Sequence, residues 1–201
     1  MFSGAQFSLY PMTSDFVPAI LRGIEALDSY KSVLRRETDN LSTLLVGPSD
    51  SVVHAMRDAF VAVAKPGGHV VLSATLSRGC PGESDDPICA APALAPPRRD
   101  EDLVQAALAR FAPGDPSGID CVAQISLYPL GTEAHMARIG GCIDFLKAVG
   151  VYEKPKHFCS KLKGDAHALF AAVERAFIDF APPEAHVVLT LTISAGSPSR
   201  L

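Results

Sequence analysis

The sequence predicts an α+β fold: two tandem ferredoxin-like repeats, each running strand, helix, strand, strand, helix, strand, with the helices on one face of an antiparallel sheet. Three observations predict it. AQFSLYP at residues 5–11 returns as AQISLYP at residues 123–129, an offset of 118. HVVLSATLSRGCPG from His69 returns as HVVLTLTISAGSPS from His186, an offset of 117, with eight of fourteen positions identical. Between these strings the apolar pattern alternates between a period of two and helical spacing, in the same order in both copies. The predicted units are residues 3–82 and 119–200, joined by a connector at 83–118 that has no counterpart.

Each element follows from local chemistry. In AQFSLY, Phe7 and Leu9 fall on one side and Gln6, Ser8 and Tyr10 on the other, as in a strand. Pro11 ends it, because proline has no N–H for the ladder. Thr13, Ser14 and Asp15 offer N-cap oxygens. Phe16, Ile20, Ile24 and Leu27 then recur at helical spacing, with Pro18 tolerable only near the start. Residues 32–46, SVLRRETDNLSTLLV, are too long for one average strand; TDN supplies a turn and predicts a hairpin. Gly47-Pro48-Ser49 opens a second helix whose buried stripe is Val52, Val53, Met56, Phe60 and Val63. Gly67-Gly68 breaks it before the last strand, HVVLSATLS.

The second copy is read by matching. Gly47 pairs with Gly164, Ala59-Phe60 with Ala176-Phe177, and Ser42 with Ser160. GDAHALF starts a helix with Asp165 at its positive end. In the connector, DEDLVQAALARFA predicts a bridging helix near residues 100–112 after a Pro-rich, acidic stretch.

Strand alternation puts an unusual set on the face away from the helices. In the first copy it is Gln6, Ser8, Tyr10, Ser73, Thr75 and Ser77. In the second it is Gln124, Ser126, Tyr128, Thr190, Thr192 and Ser194. Hydroxyls, amides and phenols are too polar for an ordinary core and too poor in charge for a plainly solvated face. Such a face suits a wet pocket for a small polar ring, or it is simply strand surface tolerant of water.

Composition narrows the function. A net charge of −4, with no basic run, argues against nucleic acid. No apolar stretch reaches 18 residues, so no membrane span is expected. MFSGAQFSLYP lacks the basic and apolar regions of a secretion signal. Five cysteines, with no CxxC, fit a reduced, cytoplasmic setting. Cys142 and Cys159 are matched with the apolar Ile24 and Leu41, so both read as small buried hydrophobes. His157, Cys159 and His167 lack a fourth ligand and counterparts in the first copy, so no metal site is predicted. Cys80 in GCPG has Ser197 as its counterpart, and His69 lies too far along the strand to activate it.

The strings FSLYPM, STLL before a glycine-initiated helix, GCPG, SLYPL, HF after the second hairpin turn, GDAHALFAAVERAF and SAGSPSR together resemble the YkoF-like family of thiamin and hydroxymethylpyrimidine binding proteins. The resemblance spans about Gly4 to Arg200 and is poorest in the connector. It implies a non-catalytic binder of thiamin or its hydroxymethylpyrimidine precursor. It further implies a homodimer, one pocket per repeat, no cofactor beyond the bound ligand, and a role in salvage or transport with an unspecified transporter partner. On shared motifs it carries over Ser8 and Tyr10, Ser42 and Thr43, and their counterparts Ser126, Tyr128, Ser160 and Lys161. The chemistry is compatible: hydroxyls and amides match both the acceptors and the amine of an aminopyrimidine, and the tyrosines can stack on it.

The two sites are expected to differ. Asp39 is matched with His157 and Thr43 with Lys161, so the first site should favour the cationic thiazolium of thiamin. Two other classes remain open at this stage. One is an ACT-like regulatory or oligomerisation module without a pyrimidine ligand. The other is an enzyme using Cys80.

Overall fold

The computed structural model describes residues 3–80, 103–182 and 185–199. The first repeat comprises β1 (Ser3–Pro11), α1 (Phe16–Ala26), β2 (Arg35–Thr38), β3 (Thr43–Val46), α2 (Ser49–Ala64) and β4 (Val70–Arg78). The second comprises β5 (Asp120–Pro129), α4 (His135–Ala148), β6 (Tyr152–Pro155), β7 (Ser160–Asp165), α5 (Ala166–Asp179) and β8 (Val187–Ala195). Between them lies α3 (Leu103–Arg110). The predicted hairpins form with tips at 39–42 and 156–159. Residues 81–102, the first part of the connector and Cys89 among them, fall outside the described residues.

All eight strands join one antiparallel sheet in the order β2-β3-β1-β4-β8-β5-β7-β6. The seam between repeats is the β4–β8 pair, in register from Val70 opposite Ala195 to Arg78 opposite Val187. Ala74 faces Leu191 at its centre, and these are the same position of the repeat at the 117 offset. A pseudo-twofold axis therefore passes between them. The last strand of each module is matched in length and alternation, so each satisfies the edge of the other that would otherwise be left unpaired.

Alternation then sorts the side chains. Ala5, Phe7, Leu72, Ala74, Leu76, Leu189, Leu191 and Ile193 are buried beneath the helices. The opposite, open face carries two mirrored rows across β1, β4, β8 and β5: Gln6–Thr75–Thr190–Ser126 and Ser8–Ser73–Thr192–Gln124. The same axis relates two cross-links over the seam, His69 Nε2 to Ser194 Oγ at 3.1 Å and Ser77 Oγ to His186 Nε2 at 3.0 Å.

On the covered face α2 packs against α5. Phe60 meets Phe170 with ring centroids 5.8 Å apart, and His54 Nε2 lies 2.9 Å from Glu174 Oε2. Arg78, buried at the strand end, directs its guanidinium to the carbonyls of Ile178 (3.2 Å) and Ala181 (3.3 Å), where α5 ends with unpaired acceptors. α3 packs on α4 and α5 of the second repeat: Ala107 is fully buried and Phe111 contacts Phe145 edge-on at 6.0 Å. Among the described residues nothing covers the outer face of α1 in the same way, and Phe16, Val17 and Leu21 are exposed there.

One local expectation fails. None of Thr13, Ser14 and Asp15 caps α1 with its side chain. Thr13 Oγ1 accepts from Asp15 N (3.2 Å) instead, because the chain closes a short turn before the helix begins. In the second repeat Asp165 does cap α5, accepting from His167 N at 2.8 Å.

Candidate functional site

Each hairpin tip folds back beside the first strand of its repeat and is pinned from the open face. Ser8 Oγ donates to Leu41 O at 2.8 Å, and Ser126 Oγ donates to Phe158 O at 2.9 Å. Gln6 Nε2 donates to Ser42 Oγ at 2.6 Å, and Lys156 Nζ donates to Gln124 Oε1 at 3.2 Å. The residues of the repeated string are thus the anchors of the tips.

These anchors correct the matching of the two hairpins. Phe7 lies opposite Thr43, and its counterpart Ile125 lies opposite Ser160. Gln6 lies opposite Leu44, and Gln124 opposite Lys161. Thr43 therefore corresponds to Ser160, Leu44 to Lys161, Ser42 to Cys159, Leu41 to Phe158 and Asp39 to Lys156. The earlier pairings of Asp39 with His157, Thr43 with Lys161, Ser42 with Ser160 and Leu41 with Cys159 are wrong by one residue. The lost residue lies upstream of the hairpin, between buried Leu27 and Leu34 in the first repeat and buried Phe145 and Val151 in the second. There the first repeat adds a 3-10 turn, Leu27–Tyr30, where α4 runs on as one helix.

The residues expected to bind ligand do not converge on one place. Gln6, Ser8, Tyr10, Ser73, Thr75 and Ser77 and their counterparts Gln124, Ser126, Tyr128, Thr190, Thr192 and Ser194 share the open face. At strand spacing, its four central strands span about 14 Å. Ser77 and Ser194 are engaged in the seam by the two histidines. Thr43 and Ser160 lie on the helix-facing side, where Thr43 pairs with Thr38 Oγ1 at 3.1 Å. Asp39 and His157 stand at the tips. Asp39 accepts from Leu41 N and Ser42 N, both at 2.8 Å. Those two backbone bonds hold its carboxyl below the usual range. Lys161 is almost buried and pairs with Glu153 at 3.0 Å.

A concave site beside the predicted residues lies in the second repeat. β7 stops opposite Ile125, which leaves the end of β5 without a neighbour on that side. The gap between that edge, α4 and the hairpin tip is a groove of about 300 Å³. Its floor is apolar: Ile125, Leu127, Ile139, Cys142, Ile143 and Leu146. Its rim carries Ser126, Tyr128, Tyr152, Lys156, Cys159 and Ser160. Phe158, 91% exposed, stands over it from the tip. An apolar slot with a few neutral donors and acceptors at its edge is the form small-ring sites take. Burial pushes the floor thiol of Cys142 up to about 12, so it behaves as a small hydrophobe.

Of the expected residues, Ser126, Tyr128 and Ser160 line this groove. The α4 side chains, Tyr152, Lys156, Phe158 and Cys159 were missed. An apolar helical stripe reads as core from sequence, and only its position beyond the end of β7 leaves part of it open. The available signal was the HF dipeptide at the tip, which places an aromatic residue in a polar turn.

The first repeat does not repeat the groove. Ile24 stands where Cys142 does, and Asp28 where Leu146 does. Arg36 crosses to Ile24 O and Asp28 Oδ1, both at 3.1 Å. A cavity of about 340 Å³ lies elsewhere in that repeat, between the start of α1 and the turn before β4, with Arg22 and His69 among its walls.

No group of three His, Cys, Asp or Glu side chains among the described residues is placed to hold a metal ion. His167 Nδ1 lies 2.8 Å from Asp115 O. No described helix is long and apolar enough to cross a membrane.

The fold and the groove together define a tandem ferredoxin-like protein with a ring-sized slot beside a β-hairpin. Comparison with known proteins takes the identification further. Residues 2–83 and 120–200 each match the YKOF-related family, and the chain belongs to that family. It is 33% identical over 198 residues to "Putative HMP/thiamine-binding protein YkoF" of Bacillus subtilis (strain 168), covering 98% of this chain and 92% of the relative.

Proposed function

We propose that this chain is a non-catalytic, cytoplasmic binding protein for thiamin or its hydroxymethylpyrimidine precursor, with one site in each repeat, serving salvage or transport. The observation that carries the reading is the groove beside the second hairpin. Its apolar floor matches the faces of a flat ring. Ser126, Ser160 and Tyr128 offer both donors and acceptors to ring nitrogens and an exocyclic amine. The name of the Bacillus relative supports the same ligand class. For the first repeat, the support is the matching pair of tip anchors, Ser8 to Leu41 O and Gln6 to Ser42 Oγ.

The open sheet face supports a homodimer. Its central rows are neutral, hydroxyl-rich and flanked by exposed Tyr10 and Tyr128, which suits a second copy better than bulk water. The ACT-like alternative would use this same face and leave the groove empty.

Calorimetric titration with hydroxymethylpyrimidine, thiamin and the thiamin phosphates tests the reading, with amino acids as the contrast. Saturable heats for the pyrimidines, lost on Ile139→Trp with an unchanged melting curve, are expected. Stabilisation by an amino acid, with no response to any pyrimidine, would replace this function by the ACT-like one.

A further inference from the structure

We infer that the groove of the second repeat takes the phosphomonoester form of its pyrimidine ligand, and that Lys156 is the residue that holds the phosphate. This rests on the ligand reading above and adds the charge state of the ligand to it.

Lys156 lines the groove where it opens to the sheet face. Its ammonium is held by a neutral amide, Gln124 Oε1, at 3.2 Å. Among the described residues no carboxylate lies within ion-pair distance of it, whereas Lys161 pairs with Glu153 at 3.0 Å and Lys147 with Asp144 at 3.4 Å. An ammonium with only a neutral partner at the rim of an apolar slot is half of a charge-assisted contact. The surrounding hairpin reinforces it. Residues 152–163 hold Lys154, Lys156, Lys161 and Lys163 against the single acid Glu153.

The first repeat is the internal control. Its hairpin, residues 35–46, balances Arg35 and Arg36 with Glu37 and Asp39. The position of Lys156 is taken by Asp39, a carboxylate fixed by the turn amides of Leu41 and Ser42. A phosphate at that rim would be repelled, and a cationic ligand favoured. Lys156 shares the polar rim above Ile125, Ile139 and Ile143 with Ser126 and Ser160. A phosphate there carries about −1.5 to −2 charge at pH 7.

The experiment is titration of the full chain with hydroxymethylpyrimidine, with its monophosphate and with inorganic phosphate, on the native protein, Lys156→Gln and Lys156→Arg. Amide shifts assign each event to a repeat. Lys156 is at an exposed tip, so both variants should fold, and an unchanged melting curve serves as the check. The expected result is that the monophosphate binds the second repeat about tenfold or more tightly than the free alcohol. Lys156→Gln should abolish that gain, with any loss from the missing Lys156–Gln124 link shared equally by the alcohol and the monophosphate, and Lys156→Arg should retain most of it. Equal affinity for the two pyrimidines would overturn the inference. So would a gain that survives Lys156→Gln, that maps to the first repeat, or that inorganic phosphate reproduces alone. If the alcohol binds normally and the phosphate adds nothing, only this inference falls; if no pyrimidine binds, the ligand reading falls with it.

Discussion

Replacing Ser126 by alanine separates two roles that one hydroxyl can play at this site. In the structure its Oγ donates to Phe158 O at 2.9 Å and ties the tip to β5. The tip is closed on itself by Lys156 N to Cys159 O at 2.8 Å, and Lys156 Nζ and Cys159 Sγ both donate from it to Gln124 Oε1 on the sheet. Loss of one neutral hydrogen bond costs about 1 kcal/mol, and the freed Phe158 carbonyl can be hydrated. That free energy is a factor of about five in a local equilibrium. Ser126→Ala should therefore raise the open population of the tip about fivefold. The Lys156 amide should exchange with deuterium faster by that factor, with the global melting point nearly unchanged. A ligand that needs the closed tip loses affinity by no more than the same factor, because only pre-organisation has been removed. Ser8→Ala should do the same to the first tip through Leu41 O. Unchanged exchange at Lys156 together with a clear loss of pyrimidine affinity would refute the anchoring argument. Ser126 would then be a direct ligand contact. No change in either quantity would remove it from the site altogether.

Three further outcomes follow from the same geometry. Desolvation raises the Asp165 pKa, but bonds from Ser117 N, Ser117 Oγ, His167 N and Gly118 N outweigh it and hold it below the usual value. The stability it adds is present above the unfolded carboxylate pKa and is lost as pH falls through the lower folded one. Asp165→Asn should cost about 1 kcal/mol at neutral pH and flatten the acid limb of a stability–pH curve. A parallel acid limb would exclude this carboxylate. Burial pushes the thiols of Cys121 and Cys142 up to about 12, helped at Cys121 by Asp165 and Asp120. Iodoacetamide at pH 8 should therefore leave both unlabelled in the folded protein by mass spectrometry, while pyrimidine ligand slows labelling of Cys159 at the groove rim. Labelling of Cys142 at the rate of an exposed thiol would mean that the groove floor opens. Phe60→Ala, at the packed contact with Phe170, should cost about 3–5 kcal/mol and shift one cooperative unfolding transition. Two separate melts would show that the repeats fold independently of their shared sheet.

The repeat was readable because its strands and helices have the periods of two and of 3.6 residues and recur in the same order. Alternation alone placed Phe7 inward and Gln6, Ser8 and Tyr10 on the open face, since successive strand side chains must point to opposite sides. Asp165 announced the start of α5 because an acid beside the first turn satisfies free N–H groups. The matching of the hairpins was not readable. The second repeat is one residue shorter from Phe145 to Val151 than the first from Leu27 to Leu34, a matching off by one puts each hairpin residue on the wrong face, and only the register of β3 and β7 against β1 and β5 fixes where the loss falls. The β4–β8 seam was equally hidden, because two edge strands of like length can pair only once both modules exist in space. The groove is the clearest case. Cys142 reads as a small buried hydrophobe, and no motif singles out Ile139, Leu146 or Lys156. They form a site because β7 ends early and α4 does not, and no local pattern records where two distant elements cease to cover each other.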